Sequence, residues 1–396
     1  MSKIKNILII NDYNYTQGGA SKVAIQTANL LVAKGYNVLF FSYTTNHISE
    51  LDPRVKDYCL EKYESLKDRN RMRGIIHGLY NRYSKNKLKK LLETLKREET
   101  IVHVHGWTKC LSSSIFKVIF KEKFKCVVTL HDYFTACPNG GYFNYKQNKI
   151  CHLKPLSFEC IKTNCDSRNY WFKCYRIVRQ FVQNHIVHLN RDLKNVITIS
   201  RFSERILKKT LSRDVNLFFV QNPIDLDENR TPIKANQNDY FLYVGRVTKE
   251  KGVDLFCKAM TELNEKGIVV GDGSELELLK KKYPNVKYVG WKSNQEVRKY
   301  IQKSKALVFP SRWYECAPLT PLEAFQYSIP CIVSDCCAAR DYINKRNGKV
   351  FSNYEELIEI IRSYNQWYKK FEFNMKNHYA EELCKVYERI IRDCEV

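Results

Sequence analysis

Two α/β domains, each a Rossmann-like doubly wound parallel sheet and the pair facing a central cleft, are the fold class this sequence predicts, on three observations. The chain has 396 residues, more than one ordinary hydrophobic core serves and a comfortable length for two. Short apolar and β-branched runs alternate with stretches of helical periodicity, which implies a parallel sheet with crossover helices. The alternation stops at a polar stretch near the middle of the chain and then restarts.

In the first half, strands are expected at 7–10, 38–41, 101–104, 127–130 and 196–199; in the second half, at 241–244, 268–270, 286–289, 306–309 and 331–333. The run of Asp, Glu, Asn and Pro over 224–238 breaks both periodicities and marks the hinge. The expected domains are therefore 1–224 and 225–370. In the tail, 371–396, Leu383, Val386, Tyr387 and Ile390 are spaced as one helical stripe, expected to pack back toward the first domain.

With 44% hydrophobic and 13% aromatic residues the chain has the composition of a folded protein rather than a disordered one. The apolar run 7–10 is too brief for a signal-peptide core, and nowhere do apolar residues continue for the 18 or so positions of a membrane span. A cytoplasmic location is expected, with the 15 cysteines mostly free thiols. The net charge of +24 attracts nucleic acid, anionic lipid or phosphorylated substrates and cannot choose among them. Its excess is concentrated over 67–97, where Arg69, Arg71, Arg73, Arg82, Lys85, Lys87, Lys89 and Lys90 alternate with Ile75, Ile76, Leu79, Leu88, Leu91 and Leu92. This suits a basic amphipathic helix on an anionic inner membrane surface, peripheral on its cytoplasmic face, or equally a solvated helix packing its apolar side on the domain.

The first strand runs into Thr16-Gln17-Gly18-Gly19-Ala20-Ser21, and Val23, Ala24, Thr27, Leu30 and Leu31 then form a stripe closing at Gly35. A strand, a glycine pair and a helix start make a phosphate-type loop, since glycine lets the backbone approach a ligand and the helix N-terminus offers free N–H groups. A turn with no ligand would also use glycine. The second domain opens with a strand and then Gly245-Arg246-Val247-Thr248-Lys249-Glu250-Lys251-Gly252. Arg246 and Lys251, at a strand's carboxyl end, suit a diphosphate, or are merely solvated. After 306–309 comes Pro310-Ser311-Arg312-Trp313-Tyr314-Glu315-Cys316-Ala317-Pro318-Leu319-Thr320-Pro321-Leu322-Glu323-Ala324. Glu315 falls in a loop and Glu323 about one turn inside the next helix, while the backbone N–H groups of Leu319 and Thr320 stand at that helix's start. Carboxylates can hold sugar hydroxyls, and amides can hold phosphate.

In this combination and order, the glycine pair, the Gly-Arg-x5-Gly loop and the Glu-x7-Glu segment resemble the retaining glycosyltransferases of family 4, which have the GT-B fold, over nearly the whole chain. Further matching pieces are Val127-Val128-Thr129-Leu130-His131-Asp132, Ile197-Thr198-Ile199-Ser200, Asn222-Pro223-Ile224-Asp225 and Gly271-Asp272-Gly273. The resemblance implies that Arg246 and Lys251 bind the donor diphosphate and stabilise the leaving nucleoside diphosphate. It implies that Glu323 holds the ribose and Glu315 the transferred sugar, with His131 at the reaction centre and Gly18 and Gly19 closing over the donor. It further implies front-face attack with retention and no metal or cofactor for catalysis. The donor would be a UDP-, GDP- or ADP-linked sugar. The acceptor would be lipid-linked or an oligosaccharide, in assembly of O-antigen, capsule or exopolysaccharide. His131 could instead satisfy a backbone carbonyl. One departure stands out: after Ser334-Asp335 the chain reads Cys336-Cys337-Ala338-Ala339-Arg340-Asp341, where relatives carry a glycine-rich turn, which leaves donor identity open.

A cysteine-containing insertion at 133–175 follows His131-Asp132. Cys137, Cys151, Cys160 and Cys165 could hold a structural zinc or remain unligated thiols, since their spacings match no short-spaced zinc pair. Asn139, Tyr142, Asn144 and Tyr145 lie close behind His131 and are expected to shape the acceptor site. The rival from another class is a basic nucleic-acid-binding protein with a zinc cluster, which accounts for the charge but not for the ordered donor motifs, so no nucleic-acid partner is expected. A phosphorylase is usually much longer, and a pure carbohydrate-binding protein has no use for a diphosphate clamp.

Overall fold

The computed structural model describes residues 4–48, 50–227, 230–373 and 378–392. The first domain carries strands β1 Asn6–Ile10, β2 Asn37–Ser42, β3 Lys56–Cys59, β4 Thr100–Val104, β5 Lys125–Leu130, the short hairpin β6 Phe143–Asn144 and β7 Lys149–Ile150, then β8 Asn195–Thr198 and β9 Asn216–Phe219. Its helices are α1 Gly19–Ala33, α2 Arg71–Leu79, α3 Arg82–Leu92, α4 Ser114–Lys121, α5 Phe158–Lys162, α6 Tyr170–Phe181, α7 Leu189–Asp192 and α8 Arg201–Leu207. The second domain has β10 Tyr240–Val244, β11 Gly267–Val270, β12 Lys287–Tyr288, β13 Ser304–Phe309, β14 Cys331–Ser334 and β15 Gly348–Phe351. Around them lie α9 Val253–Glu262, α10 Leu276–Lys282, α11 Asn294–Gln302, α12 Leu319–Phe325, α13 Tyr354–Arg362 and α14 Tyr364–Trp367; α15 Tyr379–Arg392 follows.

The seven-stranded sheet runs β3-β2-β1-β4-β5-β8-β9 and the six-stranded one β12-β11-β10-β13-β14-β15, both parallel throughout. In each, strand order reverses at the first strand, which opens a crevice at the carboxyl ends of the strands, β1 with β4 and β10 with β13. The two sheets are arranged as in the GT-B fold.

Both faces of each sheet are covered, as parallel strands require. Leu8 and Ile10 of β1 face one core while Ile7 and Ile9 face another. In β10, Phe241 and Tyr243 face one core and Leu242 and Val244 the other. The core under α1 is completed by α15, whose Tyr379, Leu383, Val386, Tyr387 and Ile390 pack beside Ile7, Ile9, Phe40, Ile101 and Val127. Polar contacts fix this docking: Tyr379 and Thr27 hydroxyls lie 2.6 Å apart, and the Tyr387 hydroxyl lies 2.7 Å from His103 Nδ1.

The basic stretch 67–97 forms two helices, not one. α3 sends Leu88, Leu91 and Leu92 into the first core and leaves its lysines in solvent, the bland arrangement. α2 does the reverse: Gly74 and Gly78 are buried, because a Cβ at Gly78 would stand 1.9 Å from the Tyr175 hydroxyl of α6. Met72, Ile75 and Ile76 consequently face outward.

The cysteine insertion disagrees with the zinc expectation. Cys137, Cys160 and Cys165 are buried, but the fully buried Lys173 places its Nζ 3.2 Å from Cys165 Sγ and 3.4 Å from Cys160 Sγ. An ammonium there repels a metal cation and supplies the positive partner itself. Among the described residues, no three His, Cys, Asp or Glu side chains are grouped to hold a metal, Cys151 included.

Candidate active site

The chemistry-bearing residues gather where the two crevices face each other. Glu315, in the loop after β13, is buried, and its Oε1 accepts from Lys251 Nζ at 2.5 Å, Trp313 Nε1 at 2.6 Å and Ser311 Oγ at 2.9 Å. Burial alone would raise its pKa, but Lys251, Trp313 and Ser311 together bring it below the ordinary carboxylate value. Lys251 also lies over the Trp313 ring, 5.1 Å from its centroid. Lys251 is aimed by Gly252, whose left-handed backbone (φ 68°) lets the chain pass so close to Pro310 that a Cβ would stand 1.9 Å from its carbonyl oxygen.

Arg246 stands apart from that pair. Its side chain is 64% exposed at the mouth of β10 and its only ion-pair partner among the described residues is Glu250, at 3.9 Å. Glu323 sits in α12 with its pKa raised by burial; Lys22 and Arg298 pull it down and Asp225 pushes it up. Lys22 of α1 reaches Asp225 at 2.6 Å, so the end of the first domain's glycine loop and the Glu323 region share one charge network. Gly18 and Gly19 have no atom within 4 Å of a would-be Cβ, so no protein contact demands glycine at either position. Leu319 and Thr320 open α12, after Pro318.

Opposite, His131 follows β5 directly. Its Nε2 is 3.0 Å from His105 Nδ1, with the rings stacked at 5.3 Å, and the His103 ring lies 4.2 Å beyond. Burial pushes His131 down to about 4 and His103 to about 3, and holds His105 well below the ordinary range, so all three are neutral near pH 7. Asp132 is pushed up to about 6 by burial, against the Phe134 N–H, Arg179 and Lys109. Sequence reasoning missed His103 and His105; the signal was the alternation in Val102-His103-Val104-His105, which puts both on one side of the chain, His105 one residue past the end of β4.

The insertion closes one side of the site. Tyr133 and Tyr142, with Phe202 of α8, ring Tyr314 at centroid distances of 6.3, 6.4 and 5.6 Å, and a Cβ at Gly141 would touch the Trp313 ring at 3.1 Å. Asn139 and Asn144 are buried and hold the insertion's own backbone: Asn139 donates to the Phe143 carbonyl and accepts from Gly141 N–H, while Asn144 accepts from the N–H groups of Lys146 and Gln147. Tyr145 reaches across, lining an interdomain hollow with Thr248 and Arg312. The segment 336–341 does without glycine because none of its residues has a positive φ; Glu315 N–H bonds the Cys336 carbonyl, and Ala338 N–H the Glu315 carbonyl.

Residues 225–378 match the family described as Glycosyl transferases group 1. The matched stretch spans the second domain. A lipopolysaccharide 1,6-galactosyltransferase of Salmonella typhimurium is 32% identical over 169 residues, 39% of this chain and 46% of the relative, so the chain matches about half of that protein's length. Among solved structures, Anabaena HepE in complex with UDP and glucose has a TM-score of 0.59 at 15% identity, covering 99% of both chains. The catalytic domain of starch synthase IV from Arabidopsis thaliana, bound to ADP and acarbose, has a TM-score of 0.64 at 13% identity, covering 99% of this chain and all of the other. At such identities the structures establish a shared fold across both domains, and the stretch that matches the family model carries Arg246, Lys251, Glu315 and Glu323. No helix among the described residues is long and apolar enough to cross a membrane.

Proposed function

We propose that this chain transfers a hexosyl unit from a nucleoside-diphosphate sugar, with retention and without a metal, to a saccharide acceptor carried on a lipid, in assembly of a surface polysaccharide on the cytoplasmic face of the membrane. The observation that carries the reading is the cation pair at the mouth of β10: Lys251 anchored on Glu315, and Arg246 left open to a ligand. Glycosyl transfer leaves negative charge on the departing diphosphate, and preorganised cations there lower the barrier most. Glu315, held ionised, presents its second oxygen to the sugar; neutral His131 offers a hydrogen bond from the opposite wall. Glu323 holds the ribose, the N–H groups of Leu319 and Thr320 contact the diphosphate, and the bare Gly18-Gly19 loop gives the donor room.

The Salmonella relative's name and the UDP held by HepE support a UDP-hexose as donor and a cell-surface glycan as product. The cations of 67–97 and the outward Met72, Ile75 and Ile76 support docking on anionic lipid. The test is thermal stabilisation and slow donor hydrolysis with UDP-, GDP- and ADP-sugars. One donor should raise the melting temperature, and Arg246→Ala and Glu323→Ala should abolish the rise. If no donor does so while a nucleic-acid shift assay is positive, the reading fails.

A further inference from the structure

Beside the His131 cleft, and sharing Thr108 with it, lies a second hollow that the transfer reaction leaves unused, lined by Ser65, Lys109, Phe134, Arg168, Phe172, Tyr175, Arg176 and Arg179. Its floor is one stripe of α6, positions 172, 175, 176 and 179, at the spacing that brings side chains to one helix face. Four cations converge there. Among the described residues the one carboxylate at salt-bridge distance is Asp166, 2.8 Å from Arg176. The guanidinium groups are held flat on rings: Arg179 lies 4.5 Å over Phe134 and Arg168 4.6 Å over Phe172. Arg179 also donates to the Thr108 and Pro138 carbonyls, which fixes it with no carboxylate at salt-bridge distance among the described residues, Asp132 and Asp12 acting on it only from farther off. Desolvation and the neighbouring Arg176 depress its pKa to about 10, so a bound anion would relieve a charge the fold holds at a cost.

Exposed apolar side chains stand on this helix and on α2 beside it. On α6 itself Trp171, Val178 and Phe181 face solvent, Trp171 with 82% of its surface exposed, and Met72, Ile75 and Ile76 of the adjoining α2 extend the same exposed region. A cationic pocket on one face of α6, with exposed apolar side chains on another face of the same helix, is complementary to an anion joined to a hydrocarbon chain that wraps the helix. An inorganic anion has no use for the apolar part, and a nucleic acid would use only its aromatic rings, by stacking, leaving Val178, Met72, Ile75 and Ile76 without a partner.

We propose that this hollow seats the phosphoryl group of the lipid-linked acceptor, with the hydrocarbon chain lying along Trp171, Val178 and Phe181. The inference rests on the transferase reading and specifies its acceptor: the sugar to be extended stands next to its lipid phosphate, because the hollow adjoins the reaction centre. The test uses the full chain and three probes, farnesyl diphosphate, inorganic diphosphate and farnesol, with equilibrium binding as readout. Farnesyl diphosphate should bind at least about tenfold tighter than either partial probe. Arg179→Gln and the exposed Arg168→Gln should each weaken it about tenfold, and Trp171→Ser should weaken farnesyl diphosphate but not inorganic diphosphate. Donor hydrolysis should stay at the parent rate in every variant. Equal affinity for inorganic and farnesyl diphosphate would make this a free-phosphate site, and an Arg168→Gln variant binding like the parent would overturn the assignment; so would an oligonucleotide that displaces farnesyl diphosphate at equal charge. If donor hydrolysis is present while farnesyl diphosphate fails to bind, only this inference falls; if both are absent, the transferase reading falls with it.

Discussion

At the level of single residues, Arg246 and Glu315 make opposite contributions. Arg246 is exposed and almost unpaired, so Arg246→Ala should leave denaturant stability within about 0.5 kcal/mol of the parent. It should nevertheless weaken nucleotide-sugar binding by roughly 10- to 100-fold, the loss of one or two charge-assisted hydrogen bonds. Glu315→Gln leaves the Lys251 ammonium buried without its counter-ion and should lower both turnover and stability, the latter by about 3–5 kcal/mol in urea unfolding. The imidazoles predict a pH response. His103 and His131, depressed to about 3 and 4, stay neutral in the fold but take up protons on unfolding, so their contribution is complete above about 6.5 and is lost as pH falls through the folded values. Asp132, raised to about 6, works the other way with one proton. The melting temperature should therefore fall between pH 6.5 and 4, and His131→Gln should flatten that slope; an unchanged slope contradicts the assignment.

At the level of elements, α15 is the clearest case. Five large apolar side chains buried there contribute roughly 8–15 kcal/mol, comparable with the whole stability of a domain. Deleting 379–392 should yield a first domain that does not fold cooperatively by circular dichroism, while Tyr387→Phe, which strands His103 Nδ1, should cost about 1–3 kcal/mol. What the sequence made legible at this scale were the central strands, because a parallel strand buried on both faces is a continuous apolar run. β3, Lys-Asp-Tyr-Cys on a sheet edge, and β15, Gly-Lys-Val-Phe, carry no such run and went unread. The ordered motifs singled out Arg246, Lys251, Glu315 and Glu323, of which the first three lie in the stretches directly after β10 and β13 and Glu323 lies in α12. Direct pairing of Lys251 with Glu315 was not legible, being made across 64 positions by two loops that meet only in the folded sheet. The Lys173 ammonium among the thiols escaped for the same reason: cysteine spacing indicates which ligands are near in sequence and not what fills the space between them.

For the whole molecule, the net charge of +24 bears on where the chain works. With α2 apolar outward and cationic around it, binding to vesicles containing anionic lipid should be strong at low salt and fall steeply toward 1 M, where screening shortens to about 3 Å. Replacing Met72, Ile75 and Ile76 together by serine should weaken flotation at every salt concentration without touching donor hydrolysis. Flotation indifferent to those changes would reassign the charge to another partner. The cleft itself is bridged by Tyr314 among Tyr133, Tyr142 and Phe202, by Arg205 on Asp341 at 2.8 Å, and by the Ser200 hydroxyl on the Cys316 carbonyl. A ligand bound in the cleft would therefore meet elements tied to both domains.

The docking of α15 also gives the molecule an order of assembly. The second domain is topologically an insertion: every strand of the first sheet has been synthesised by residue 219, yet the face holding Ile7, Phe40 and Val127 is covered only in part, by α1, until residues 379–392 emerge. A ribosome adding 5–20 or so residues per second leaves that apolar face partly uncovered for on the order of ten seconds or more, while the whole second domain is being made. During that interval the nascent first domain is a client for whatever shields hydrophobic surface in the cell, and a stall within the second half of the message would strand it in that state.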